Sequence, residues 1–358
     1  MEKNRIFPFL LTLVLSSLFI GHSSFGQIKT EEFAFVFNGN KLNGFLDFPD
    51  TSEASTLIII IPGSGPTNFA HSPGYYAIRA SFVKLGIGVC LWDKQGCGKS
   101  QGVYDDDQTV QNSSQEVITA IHKLKELDIP GSKKIGLLSA SRGGWIAPLV
   151  IEQIPPIAFW ISISGPDDKD NSIYKLSSNL RVMGKTESEI QLLMNEKKEG
   201  NRVFWAGGTY KEYSEVTKNL NTDSAIIALD GAESENNYLQ LQKRFLGKDY
   251  IFDKESGMIV MVPNLKGILM KIQCPVLAIF GEKDTQLDWQ NTLNFYKQTL
   301  GTRKNSILTI KTFPNCNHSI MKCKTGGMNE NLETYGWQIC DGFFETMNLW
   351  LKERGFGK

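Results

Sequence analysis

No charge of either sign predominates in this chain: 38 Lys and Arg balance 38 Asp and Glu over 358 residues. Such a surface supplies no net field to draw in nucleic acid, and no block of like charge marks an interaction tail. Solenoid-type repeats and low-complexity tracts are missing. Beyond the N-terminus no apolar run reaches the ~20 residues that a membrane span needs. Histidine is scarce, with four in all (His22, His71, His122 and His318). None of the six cysteines stands at C-x₂-C spacing from another, and no second histidine lies near them. That excludes the usual zinc-ligand patterns, so neither a metal nor a cofactor is expected.

The N-terminus is directional. Lys3 and Arg5 precede a nearly apolar stretch from Ile6 to Ile20, and Ser24 and Gly26 supply small residues at the −3 and −1 positions. This pattern predicts a signal peptide over residues 1–26, cleaved before Gln27. Pro8 interrupts the apolar run, and the run is too short to span a bilayer. The expected product is exported, periplasmic or secreted, with no stable membrane insertion. Export permits disulfides. Cys316, Cys323 and Cys340 cluster around His318, where a bridge between two of them would pin the histidine loop. Cys90 and Cys274 adjoin apolar runs and read as small hydrophobes.

From residue 33 onward, apolar and polar residues alternate around Asn38-Gly39-Asn40, which predicts an edge hairpin over 33–48. Strand-like and helix-like segments then take turns. Strands are expected at Leu57–Ile61, Val89–Trp92, Ile135–Leu138 and Ile157–Ser164, and helices near Tyr75–Leu85, near Gln108–Leu127 and after Ser141. Such alternation implies α/β architecture, a mostly parallel central sheet flanked by helices, with the strand C-termini along one edge. It stops at Gly165-Pro166. Residues 166–265 are charged and helical in period, and are read as a helical lid inserted between core segments 27–165 and 266–358. Phe204, Trp205 and Tyr210 either line a pocket there or only pack the lid.

Four loops along that edge carry chemistry. In Ser139-Ala140-Ser141-Arg142-Gly143-Gly144, a serine sits among small residues between a strand and a helix. A turn this tight requires small residues two positions before and after the nucleophile. Pro62-Gly63-Ser64-Gly65-Pro66 ends the first buried strand with a loop whose backbone N–H groups can face a developing oxyanion. The donors expected are Ser64, with Gly65 as the alternative, and Arg142, the residue after the serine. In Cys274-Pro275-Val276-Leu277-Ala278-Ile279-Phe280-Gly281-Glu282-Lys283-Asp284 a strand-like run ends in glycine and Asp284, which can orient a histidine, follows within one turn; Glu282 reads as a solvated loop charge and Asp288 as a helix cap. His318 follows the strand-like run Ser306–Lys311. His22 falls in the signal peptide, His122 in a helical pattern, and His71 in the loop beyond Pro66, ahead of the serine.

The chain resembles α/β-hydrolases of the esterase and serine-aminopeptidase-like group that carry a helical insertion. The resemblance rests on the ordered Ser141, Asp284, His318 series and on Asp93-Lys94-Gln95-Gly96-Cys97-Gly98-Lys99-Ser100, similar to a D-x-R-G-x-G-x-S loop of such enzymes. It departs from relatives at Pro62, where histidine is common, and at Ser139, where the turn usually has glycine. It implies the α/β-hydrolase fold and a carboxylesterase-like serine hydrolase acting on a small-molecule ester or short peptide through an acyl-enzyme. A peptidase, aminopeptidase or thioesterase would use the same triad; Glu187, Glu189, Glu196, Glu212 and others could receive a substrate amine, but helix surfaces carry such glutamates anyway, so they do not discriminate. A binding protein on this scaffold would have no reason to keep all three residues. A nucleotide loop at Gly98-Lys99-Ser100 is rejected, because Asp93 stands where its first glycine would be.

Overall fold

Strands β1 (Ile28–Phe37) and β2 (Asn40–Pro49) form a hairpin. Asn38 and Gly39 have φ of 48° and 78°. Two successive positive φ values define the tight turn whose twist matches that of paired strands. Phe33, Phe35 and Phe37 alternate inward from β1 onto the core. The chain then runs β3 (Leu57–Ile61), α1 (Pro73–Lys84), β4 (Gly88–Trp92), α2 (Val110–Glu126), β5 (Ile135–Ala140), α3 (Gly143–Gln153) and β6 (Trp160–Ile163). Every residue of β3 and β4 is buried, as their unbroken apolar character demands. The computed structural model describes residues 28–49, 54–69, 72–302, 307–331, 333 and 336–357. The expected signal peptide with its cleavage point, and His22 and His71, lie outside the described residues.

After β6 come α4 (Ser172–Val182), α5 (Glu187–Trp205), α6 (Tyr210–Val216), α7 (Ser224–Asp230), α8 (Glu235–Phe245) and a small hairpin of β7 (Ile251–Asp253) and β8 (Met258–Val260). None of these joins the main sheet. The chain resumes with α9 (Leu265–Lys271), β9 (Val276–Gly281), α10 (Trp289–Thr299), β10 (Leu308–Phe313) and α11 (Phe343–Lys352). The eight-stranded sheet has the order β1-β2-β4-β3-β5-β6-β9-β10. The β1/β2 and β2/β4 pairs are antiparallel and the remaining pairs are parallel. Helices α2, α3, α9 and α10 pack on one face and α1 and α11 on the other. The mainly parallel sheet with helices on both faces is the architecture that the strand–helix alternation predicts.

The segment between β6 and β9 has its own small core of Leu176, Leu180, Ile190, Leu193, Met194, Leu220, Ala225 and Ile226. Thr186 and Glu189 cap α5 reciprocally, as Thr209 and Glu212 do α6. Met183, which continues the apolar spacing of α4, is 43% exposed, because α4 ends at Val182 and Gly184 turns away with φ of 88°.

One buried ion pair ties the sheet edge to α1. Arg79 donates from Nε to Oδ2 of Asp47 and from Nη2 to Oδ1 at 2.9 Å, and Thr30 adds a third donor at 2.6 Å. The Asp47 side chain has no exposure. Removing one partner of such a pair strands the other charge, which costs about 3–5 kcal/mol. Arg79→Met is therefore expected to lose stability of that size in chemical denaturation; a loss below about 1 kcal/mol would show that Asp47 finds another partner.

Candidate active site

Ser141 stands at the sharp turn from β5 into α3 with φ of 50°. A non-glycine residue held there costs roughly 1–3 kcal/mol and persists only where its surroundings over-determine it. Here they do. The Ser141 amide donates to Ile163 O at 2.9 Å, and the Gly144 amide donates back to Ser141 O at 2.7 Å. At Gly143, an added Cβ would sit 2.7 Å from Ile61 O, which explains the glycine two residues after the serine. The position two before tolerates Ser139 for a different reason. Its hydroxyl accepts a hydrogen bond from Trp160 Nε1 at 2.8 Å, so the extra atoms are packed and satisfied rather than clashing.

The turn aims Ser141 at His318. His318 Nε2 lies 2.9 Å from Ser141 Oγ, and His318 Nδ1 lies 2.7 Å from Asp284 Oδ2. One tautomer satisfies both partners: Nδ1–H donates to the carboxylate, and Nε2 accepts from the hydroxyl. Asp284 is 2% exposed, and its Oδ1 accepts the amides of Gln286 (2.8 Å) and Leu287 (2.9 Å). The competing acids go elsewhere. Glu282 accepts from Thr312 Oγ1 at 2.7 Å on the surface, and Asp288 accepts the Asn291 amide as the N-cap of α10. His122 is exposed on α2.

The loop carrying His318 is held from three sides. Ser164 Oγ donates to His318 O at 2.7 Å, and Asn317 Oδ1 accepts the amides of Ser319 and Met321. A disulfide joins Cys316, two residues before the histidine, to Cys340 across a Cα–Cα distance of 6.3 Å. Cys323 remains a buried free thiol, as do Cys90 and Cys97, and Cys274 is a half-buried one. Thiol titration of the denatured chain should therefore rise by two after reduction; an unchanged count would remove the bridge.

The loop after β3 lies against the serine. An added Cβ on Gly63 would be 3.2 Å from Ser141 Cβ. Among the described residues, neither the Ser64 amide nor the Arg142 amide finds an acceptor. Both expected oxyanion donors are thus uncommitted; Arg142 follows the serine, and Ser64 follows the Gly63 that packs against it. The Arg142 side chain turns the other way, donating to Gln108 O and, at 3.1 Å, to Ser113 Oγ. Burial lowers its pKa, with Glu116, Tyr104, Asp106 and Tyr250 acting in the opposite sense. This anchoring of the turn to the start of α2 leaves no mark in the sequence.

Residues between β6 and β9 reach the site. Tyr174 donates to Asp284 O at 3.1 Å, and Ser178 and Asn179 donate to Thr285 O at 2.6 and 3.1 Å. Helix α4 thus buttresses the loop that presents the acid. At the other end, Lys248 and Tyr250 donate to Asp107 O. Phe204 and Trp205 pack within an aromatic group with Tyr238, Phe245, Tyr250 and Phe252, and Tyr210 stacks on Tyr213, so these rings pack the segment together. The Gly98–Ser100 loop is architectural. An added Cβ on Gly98 would fall 2.0 Å from Asp93 Oδ2, and Ser100 Oγ donates to Asp93 O at 2.6 Å.

A strand–turn–helix serine, an acid and a histidine on later loops, all along the C-terminal edge of this sheet, belong with the α/β-hydrolase fold, and the chain has that fold. Solved structures agree across almost the whole length. An esterase of Pyrococcus furiosus is similar over 91% of this chain and 91% of its own, with 15% identity and a TM-score of 0.52. Est1E of Butyrivibrio proteoclasticus, with ferulic acid bound, is similar over 90% of this chain and 96% of its own, with 19% identity and a TM-score of 0.50. No family model and no curated protein matches the sequence.

Proposed function

We propose that this chain is a serine hydrolase that cleaves carboxylic esters through an acyl-enzyme on Ser141. The observation that carries the reading is the unbroken relay Ser141 Oγ, His318 Nε2, His318 Nδ1, Asp284 Oδ2, with spacings of 2.9 and 2.7 Å. His318 takes the serine proton as Oγ attacks the carbonyl carbon, then returns it to the departing alcohol. A second turn of the same relay activates water to release the acid. Asp284 fixes the tautomer and stabilises the imidazolium. The Ser64 and Arg142 amides receive the oxyanion, a contribution of about 10²–10³-fold in rate per donor.

Esters are favoured over aminoacyl amides by where the acidic groups go. An aminopeptidase must present a carboxylate to the substrate's amine, and four glutamates between β6 and β9 are committed to other partners. Glu187 pairs with Arg181, Glu189 and Glu212 close their capping boxes, and Glu196 accepts the Asn219 and Leu220 amides. The capping hydrogen bonds hold the carboxyls of Glu189 and Glu212 below their ordinary pKa. Both solved relatives are esterases by name. The segment between β6 and β9 acts as a lid that sets the substrate's size, and the N-terminal signal with the Cys316–Cys340 bridge fits an exported enzyme. A side-by-side assay of aryl esters and aminoacyl amides tests the reading. Faster turnover of the esters is expected; turnover of the amides alone would replace it with the peptidase alternative.

A further inference from the structure

Lys94 is a half-buried cation in the loop after β4, close to the proposed oxyanion site. Its Nζ donates to Gly63 O at 2.6 Å and to Gly65 O at 2.7 Å, the carbonyls on either side of Ser64. Its own amide donates to Thr67 Oγ1 at 2.7 Å. The neighbouring Asp93 completes the grip, with Oδ1 accepting the Phe69 amide at 2.9 Å. The Asp93-Lys94 pair thus holds the loop after β3 at four points, and the two Nζ contacts bracket the residue whose amide must face the substrate oxygen.

We infer that Lys94 is a positioning residue for the oxyanion site: its ammonium clamps the carbonyls of Gly63 and Gly65 and so orients the Ser64 amide between them. The inference rests on the hydrolase reading and adds to it a side chain that touches neither the nucleophile nor the relay. With both flanking carbonyls tied back toward Lys94, the peptide units around Ser64 keep their orientation, and the Ser64 amide has no other acceptor among the described residues. Preorganised donors matter most as the tetrahedral intermediate forms, because they face charge that the ground-state carbonyl does not yet carry. Loss of the clamp should therefore fall on kcat rather than on KM.

The clamp is sensitive to its surroundings. Lys94 lines a cavity of about 40 Å³ with Ser64, Gly65, Tyr104, Glu116 and Arg142. Burial, joined by repulsion from Arg142 at the start of α3, lowers its pKa to about 8. Glu116 on α2, and Cys97 and Asp106 on the loop after β4, oppose that shift. Protonated Lys94 is then the holding form at neutral pH and is lost as pH rises through about 8. A neutral amine still donates, but without the charge that makes such bonds strong.

Steady-state kinetics of Lys94→Met and Lys94→Arg on an aryl ester test this. For Lys94→Met, kcat should fall about 10–100-fold with KM within a factor of about three, less than the roughly 10²–10³-fold that outright loss of an oxyanion donor costs. Lys94→Arg should recover most of the rate and should move the alkaline decline in kcat upward from near pH 8. Wild-type kcat in Lys94→Met would overturn the inference and leave the hydrolase reading standing. If Lys94→Met fails to fold, the pH profiles decide: superimposable wild-type and Lys94→Arg profiles through pH 10 overturn it equally. A wild type that turns over neither ester nor amide, and whose Ser141 does not react, would remove the hydrolase reading and this inference together.

Discussion

Ser141→Ala is expected to lower kcat on an aryl ester by roughly 10⁴- to 10⁶-fold, the range seen when a triad nucleophile is removed. Its folding should hardly change. Alanine occupies the same left-handed backbone with the same local cost, and the bonds holding the turn are made by main-chain groups of Ser141, Ile163 and Gly144. The denaturation midpoint of the variant should correspond to a stability within about 1 kcal/mol of the wild type. Steady-state assay and urea unfolding of one preparation check both halves. A variant that keeps more than a tenth of the activity would place the nucleophile elsewhere.

Asp284→Asn should cost about 10⁴-fold in kcat, for a reason fixed by the neighbouring amides. Gln286 and Leu287 donate to Oδ1, so that position demands an acceptor. An asparagine must therefore turn its oxygen there and its NH₂ group toward His318 Nδ1. The imidazole is then forced to accept at Nδ1 and to carry its proton on Nε2, facing the Ser141 hydroxyl with a donor where a base is needed. Geometry survives and the tautomer is wrong. The reaction rate of Ser141 with a fluorophosphonate should fall in parallel with kcat; near-wild-type reactivity would mean that Asp284 does not govern the histidine.

These expectations draw on residues that were legible in the chain before its structure. Ser141, Asp284 and His318 could be read because each follows a strand, and a parallel sheet lines up its strand ends. The hairpin at Asn38-Gly39 and the strand at Leu57–Ile61 were equally plain, since both follow from local backbone and side-chain preferences. What local pattern cannot carry is contact across the fold. Nothing near Lys94 in sequence announces that its ammonium reaches two carbonyls some thirty residues earlier. Tyr174, Ser178 and Asn179 look like ordinary helix residues, yet they brace the acid loop from more than 100 positions away. Ser139 departs from the usual glycine, and only the fold shows that Trp160 Nε1 supplies its hydroxyl with a partner. The proximity of the three cysteines to His318 suggests a bridge but not a pairing, which depends on the Met321–Ile339 β-bridge and the Cys340 amide donating to Ile320 O.

Whether Ser141 is a nucleophile activated by His318 can be read from mass spectrometry of the protein after brief exposure to a fluorophosphonate. One adduct per chain is expected, located on Ser141, and it should be lost in His318→Ala. Absence of any adduct, or an adduct on a serine other than Ser141, would mean that Ser141 is not the activated nucleophile.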